Sequence, residues 1–314
     1  MQYDESRYHL PVLAREAIDA LVTSPSGIYI DATLGGGGYA ERILERLGGG
    51  KLLAFETDPA AMAFAEARLE RFGKMLEIVR ENFGTLPSAL EARSISEITG
   101  IVYDLGVSSH QLDTTSIGLS YRIESELDMR LDPRLERTAK DIIAAEDEQV
   151  LTRIFKEYGE EPFAKRIAYR IAKRRVEAPI TTTTRLAEVI AEGIRDDKRN
   201  AVLSRIFQAL RIEVNDELGN LRRSLEAAID LLERGGRIVV VSYHSLEDRI
   251  VKEIFTRESR PEAEAGSIAS LKQRVDLSKA RLKVLTPKPV GASEAEIERN
   301  VRSRSAKMRI AEKL

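Results

Sequence analysis

The chain has 314 residues, enough for two domains, and its 49 Lys and Arg nearly balance 51 Asp and Glu, so any nucleic-acid surface must be a local patch. The absence of cysteine excludes disulfides, thiolate zinc sites, iron–sulfur clusters and thiol nucleophiles, including the covalent adduct used to methylate pyrimidine ring carbons. No apolar run approaches the ~20 residues of a membrane span, and the polar N-terminus lacks an apolar signal core, so a cytoplasmic protein is expected.

An amphipathic pattern in which Ala17, Leu21 and Val22 share a face predicts a first helix, and Ser24-Pro25-Ser26-Gly27 a turn into the first strand. The stretch Tyr29-Ile-Asp-Ala-Thr-Leu-Gly-Gly-Gly-Gly-Tyr39 reads as strand, glycine loop and helix start. Glycines permit positive φ and close ligand approach, while the helix start offers unpaired N–H donors. Gly35, Gly37 and Ala40 satisfy G-x-G-x-x-G/A, and Glu56 lies about 20 residues on, where a ribose-binding acid is expected. Asp31, at the strand's end, disfavours a pyrophosphate and suits an ammonium or sulfonium. S-adenosylmethionine is therefore preferred to NAD, with a plain structural turn as the third reading.

Lys51–Glu56 predicts a second strand, Asp58-Pro59 a helix start with Ala61, Ala65 and Leu69 as its stripe, Leu76–Val79 a third strand and Ile98–Leu105 a fourth. Strands alternating with helices imply a parallel sheet whose ligands bind at the strands' carboxyl ends, where Asp31, Glu56, Phe83 and Asp104 fall. From about Thr114 to Asp216 there are helical patterns, including a helix capped by Thr184, and almost no strand signal. A helix from Asp216 to Glu233, a Gly235-Gly236 stop, a fifth strand at Arg237–Tyr243 and two late strands near Arg281–Leu285 and Ala306–Ala311 restore the sheet. The stretch between Glu258 and Lys279 is polar and reads as a loop. The expected fold is thus α/β: a discontinuous domain (1–113 and 216–314) with a helical substrate-recognition domain (114–215) inserted after the fourth strand.

Three further stretches carry candidate chemistry. Asp104-Leu-Gly-Val-Ser-Ser109 puts a carboxylate and the Ser108 and Ser109 hydroxyls near the glycine loop, where an acceptor for amine protons could orient an exocyclic nitrogen for methyl transfer. A strand-exit turn with Asp104 as a helix cap is the competing reading. In Ser242-Tyr-His-Ser-Leu-Glu-Asp-Arg249, Ser245 reads as an N-cap with Asp248 three residues on, and His244 as either pocket wall or plain structure. His9, His110 and His244 show no metal-ligand spacing, so no metal is expected. On the helix from Pro162 to Arg175, Phe163, Ile167 and Ile171 are expected to face the core. Arg166, Arg170 and Arg174 form a column flanked by Lys165, Tyr169 and Lys173, which suits a phosphate backbone or equally a solvated face.

Together with Leu127-Asp-Met-Arg130, Tyr158-Gly-Glu-Glu161, Phe207-Gln-Ala-Leu-Arg-Ile212 and the tail Arg302-Ser-Arg-Ser-Ala-Lys307, these stretches resemble the bacterial MraW/RsmH methyltransferases over nearly the whole chain. The resemblance implies a Rossmann-like class I methyltransferase domain interrupted by a helical domain. It also implies transfer of methyl from S-adenosylmethionine to the exocyclic N4 of a cytidine in small-subunit ribosomal RNA near the decoding centre. Carried over by position, Gly37, Gly38, Tyr39, Glu56 (ribose), Phe83 (adenine), Asp104 and Gln111 hold the methyl donor. Leu34, Tyr39, Glu56, His110 and Val301 stand where the family commonly has Phe, His, Asp, Pro and Pro. The target base is expected to leave its helix stack and enter between the domains, with Tyr121 or Tyr243 stacking on it. The expected partner is the rRNA or the assembling small subunit; a homodimer is left open. The alternative is a non-catalytic RNA-binding assembly protein on the same fold.

Overall fold

A computed structural model of the chain describes residues 11–107, 111, 117–260 and 279–314. Ser108, Ser109, His9, His110 and most of the polar stretch after Glu258 lie outside the described residues. The described residues divide into two compact units, one running from Pro11 to Gly106 and from Leu218 to Leu314, the other from Val107 to Glu217.

The first unit is a seven-stranded sheet. Its strands are β1 (Ile28–Asp31), β2 (Lys51–Phe55), β3 (Leu76–Val79), β4 (Ile98–Asp104), β5 (Leu232–Ser242), β6 (Leu282–Val284) and β7 (Lys307–Lys313), in the order β3-β2-β1-β4-β5-β7-β6. The pairs from β3 to β5 are parallel, and β7 runs antiparallel to both β5 and β6. This is the Rossmann-like class I methyltransferase arrangement expected. Alternate residues of each strand feed opposite faces. On one face Ile30, Phe55, Ile101 and Tyr103 pack with Leu225 and Ile229 of a helix at Glu217–Leu231, and with Ile254 and Phe255 of another at Ser245–Ser259. On the other face Tyr29, Leu52, Ala54 and Val102 pack with Ile18 and Leu21 of α1 (Ala14–Leu21), Ile43 of α2 (Gly38–Leu44) and Ala65 of α3 (Pro59–Leu69). Both faces are covered, which is why β4 reads as a continuous apolar run rather than an alternating one. Strand order reverses between β1 and β4, so the crevice at their carboxyl ends is the switch point where such sheets take ligands.

β5 starts five residues earlier than the sequence suggests. Leu232 pairs with Ile98 before an irregularity shifts the register to Gly100–Arg237. Gly235, at φ +83°, lets the strand take that shift instead of ending the helix.

The second unit contains five helices among its described residues: Ala139–Ala145, Glu148–Glu157, Ala164–Glu177, Thr183–Ala191 and Asp196–Asn215. Thr138, Asp147 and Thr182 cap the first, second and fourth of these through side-chain oxygens. The fourth is therefore capped by Thr182, not Thr184: Thr182 Oγ1 accepts from Arg185 N at 3.2 Å. Its core gathers Ile142, Leu151, Phe155, Ile167, Ile171, Leu186 and Ile206. Glu161 is buried against that core, accepting from Phe163 N at 2.9 Å and from Arg205 Nε at 2.8 Å and a terminal nitrogen at 2.7 Å. Replacing Arg205 with leucine leaves a buried carboxylate with one donor; because Arg205 itself is partly exposed, a loss of about 2–3 kcal/mol of unfolding free energy, measured by urea denaturation, is expected. No described helix is long and apolar enough to cross a membrane.

Candidate active site in the sheet unit

The loop after β1 is held by backbone and side-chain hydrogen bonds together. Leu34 N donates to Phe55 O at 3.0 Å and Gly37 N to Leu34 O at 2.8 Å, closing a tight turn. Gly35 and Gly37 sit at φ +50° and +79°, and a Cβ on Gly37 would meet Leu69 Cδ1 at 3.1 Å. A Cβ on Gly38 would meet the Pro11 ring at 2.9 Å. The glycines thus let the loop thread between Pro11 and Leu69.

Carboxylates converge around this loop. Asp31, fully buried, accepts from Thr33 N at 3.1 Å through Oδ1, while its Oδ2 is buried with no partner. Glu56, at the exit of β2, accepts from Gly35 N at 2.8 Å, Thr57 N at 2.8 Å and Asp58 N at 2.9 Å, tying the glycine loop to the second strand. Asp104 ends β4, its amide donating to Thr33 Oγ1 at 2.7 Å and its Oδ1 accepting from the Tyr243 hydroxyl at 2.7 Å. Tyr243 follows β5, and its ring lies over Gly106, whose φ of +108° and missing Cβ leave it room. Among the described residues, no Lys or Arg pairs with Asp31, Glu56 or Asp104.

Burial without a counter-charge raises all three acids. Asp31 is pushed up to about 7, mainly by desolvation and further by the Glu56 charge, against the pull of the Thr33 and Ala40 amides. Asp104 is also pushed up to about 7, by desolvation with Asp31 and Glu247 adding to it, and the Tyr243 hydrogen bond pulls it down. Glu56 is raised by desolvation despite its three amide donors. Tyr39 and Tyr243 are held well above their usual range by burial and by the Asp104 charge, so both hydroxyls keep their protons. Carboxylates assembled in this way are stabilised in their ionised form by a cation.

The family model described as the MraW methylase family matches residues 6–314. The chain belongs to this family. Two relatives named ribosomal RNA small subunit methyltransferase H match almost end to end. The Trichlorobacter lovleyi protein is 45% identical over 316 residues, covering 99% of each chain. That of Heliobacterium mobile is 44% identical over 317 residues, covering 98% of this chain and 99% of its own. Among solved structures, an rRNA methylase from Streptococcus thermophilus aligns over 96% of this chain and 93% of its own, at 11% identity and TM-score 0.43.

The remaining expected site residues of this MraW-family chain are spread between the two units. Phe83 follows β3 in a turn capped by Asn82, its ring edge-on to Tyr103 with centroids 5.7 Å apart. Tyr39 is buried and donates its hydroxyl to Val12 O, so its side chain is committed to the fold. Gln111 lies in the helical unit and is buried. Tyr121, in the same unit, packs edge-on against Phe207 at 5.5 Å with its hydroxyl 3.2 Å from Ser204 Oγ.

Two expectations are corrected around the strand-β5 exit. His244, not Ser245, is the N-cap of the Ser245–Ser259 helix: Glu247 N donates to its Nδ1 at 3.4 Å, and Glu247 Oε2 accepts from Tyr243 N at 2.8 Å and His244 N at 3.2 Å. Asp248 points away from the cap and binds Arg309 Nε at 2.6 Å. The sequence shows neither the Tyr243–Asp104 bond nor the Thr33 bond to the Asp104 amide. Strand order supplies the first: Asp104 pairs with Val241, two residues before Tyr243.

The basic helix also departs from expectation. Phe163 caps it and is 53% exposed instead of facing the core. Arg170 donates to Val189 O at 3.2 Å and Ile190 O at 2.7 Å, and Arg174 pairs with Glu192 at 3.0 Å and Glu177 at 2.8 Å. Lys165 and Arg166 are exposed and make no such pair.

Proposed function

We propose that this chain transfers the methyl group of S-adenosylmethionine to the exocyclic N4 of a cytidine in small-subunit ribosomal RNA. The observation that carries the cofactor reading is the buried carboxylate group without a cation, above all the unpartnered Oδ2 of Asp31. It fits a ligand with an ammonium and a sulfonium, and a pyrophosphate would be repelled. The names of relatives 45% and 44% identical over nearly the whole chain support the RNA substrate.

In this reading Asp31 meets the ligand's positive charge, and the amides of Gly37, Gly38 and Tyr39 border it. Glu56 uses three of its four acceptor positions on the backbone, leaving one for a ribose hydroxyl. Phe83 lies against the adenine; Gln111, which the resemblance also assigns to the methyl donor, belongs to the helical unit. Bound S-adenosylmethionine supplies an electrophilic methyl on sulfur. Asp104 accepts a hydrogen bond from the cytidine amine, which localises the nitrogen lone pair, and its ionised carboxylate takes the proton that nitrogen releases as the methyl passes from sulfur to nitrogen. Tyr243, donating to Oδ1, fixes the carboxylate and leaves Oδ2 for the amine. Ser108 and Ser109 remain further acceptor candidates, and Tyr121, Tyr243 and His244 candidates for contact with the base. The expected partner is the assembling small subunit in the cytoplasm.

The test is transfer of labelled methyl from S-adenosylmethionine to small subunits from cells lacking the activity, followed by nucleoside digestion. N4-methylcytidine is expected; label in any other nucleoside contradicts the assignment.

A further inference from the structure

Three of the six strongly exposed large apolar side chains among the described residues belong to one helix or its cap: Phe163 (53%), Tyr169 (55%) and Val176 (84%). That helix, Ala164–Glu177, buries Ala164, Ile167, Ala168 and Ile171. At about 100° per residue, the direction opposite this buried stripe is occupied by Lys165, Tyr169, Lys173 and Arg166, with Tyr169 between the cations. All four are exposed, and among the described residues none of the three cations pairs with a carboxylate or makes a hydrogen bond.

The arginine column of the sequence pattern does not coincide with this face. A series at i+4 turns about 40° per step, so Arg166, Arg170 and Arg174 wind from the open side towards the buried border. Arg170 and Arg174 accordingly spend their donors on Val189 O, Ile190 O, Glu192 and Glu177. Arg166 stays out, its guanidinium over Gly193, where a Cβ would come within 3.1 Å.

We infer that Lys165, Arg166, Tyr169 and Lys173, with Phe163 at the helix start, form a docking face for single-stranded RNA. Three unpaired cations neutralise phosphates, and the two exposed rings offer stacking platforms that tolerate any base. The charge pattern selects a polyanion, and cations interleaved with exposed rings match the alternating phosphates and unstacked bases of a single strand. The inference takes from the proposed function only the nature of the partner. It assigns binding to this face and makes Arg170 and Arg174 structural.

The test measures binding of the full chain to a fluorescein-labelled poly-cytidine RNA of about 20 nucleotides across a salt series. The variants are the triple Lys165→Gln, Arg166→Gln, Lys173→Gln; the single Tyr169→Ala; and, as a charge control, Arg174→Gln with Arg185→Gln. Thermal melting and S-adenosylmethionine calorimetry verify that each variant is folded. The triple variant should lose about 100-fold in affinity near 0.1 M salt and lower the log–log salt slope by about 2. Tyr169→Ala should lose at least about fivefold with the slope unchanged, and the control should bind like the wild type. A triple variant with an unchanged slope, or a control that loses as much, overturns the inference. So does a triple variant that loses small subunits but keeps naked RNA, since the face then binds protein. A wild type that binds RNA through this face but transfers no methyl group leaves the inference standing and removes the catalytic reading.

Discussion

Asp104→Ala will lower kcat by about 100- to 1,000-fold at saturating S-adenosylmethionine, because it removes the acceptor proposed to hold the amine in line with the methyl group. Cofactor calorimetry on the same variant separates this loss from weaker donor binding. Tyr243→Phe is the informative companion. It keeps the carboxylate but removes the hydroxyl that donates to Oδ1 at 2.7 Å and pulls its pKa down. The Asp104 pKa must then rise, so the acidic limb of the pH–rate profile should move to higher pH while the rate at high pH falls less than in the alanine variant. An alanine variant with unchanged kcat would remove Asp104 from catalysis.

Asp31→Asn should weaken S-adenosylmethionine binding by about 10- to 100-fold, the worth of a charge-assisted contact in a buried site. It should also change how stability responds to pH. The folded-state pKa of Asp31, about 7, lies above the value near 4 of an unfolded chain. Between those values the native state holds a proton that the unfolded chain has released, so wild-type stability falls as pH rises from about 4 to about 7 and then levels off. Asp104 acts in the same sense. The asparagine variant lacks the Asp31 part of this loss, so without cofactor it should melt higher than the wild type at pH 8 and similarly at pH 4. Melting curves at both values decide it.

The parts of the site written in one local stretch were legible in the sequence. Asp31, the glycine loop and the Asp58-Pro59 helix start are such stretches, and each forms as its residues dictate: Asp58 Oδ1 accepts from Ala60 N at 2.8 Å ahead of Pro59. The hydrogen bond from Tyr243 to Asp104 was not legible, because it spans 139 residues and depends on β5 lying beside β4. His244 and Ser245 illustrate a limit of a different kind. Both can cap a helix, and the choice falls to His244 because Glu247, one residue before Asp248, is positioned to close the capping box. The arginine column misled because a spacing of four is shared by residues that remain on a face and residues that drift across it. Phe163 failed as a core residue because the helix starts just after it, so the periodicity that would have buried it does not extend to the cap.

Calorimetric titration of S-adenosylmethionine in two buffers of different ionisation enthalpy tests most directly what the glycine loop and its carboxylates bind. A cation that ionises Asp31 and Asp104 must displace their protons. Below pH 7 binding should release between one and two protons per ligand, with affinity rising by about tenfold or more per pH unit, and release falling to zero well above pH 8. Binding without proton release at pH 6, or no binding where NADH binds tightly, would contradict this reading of the site.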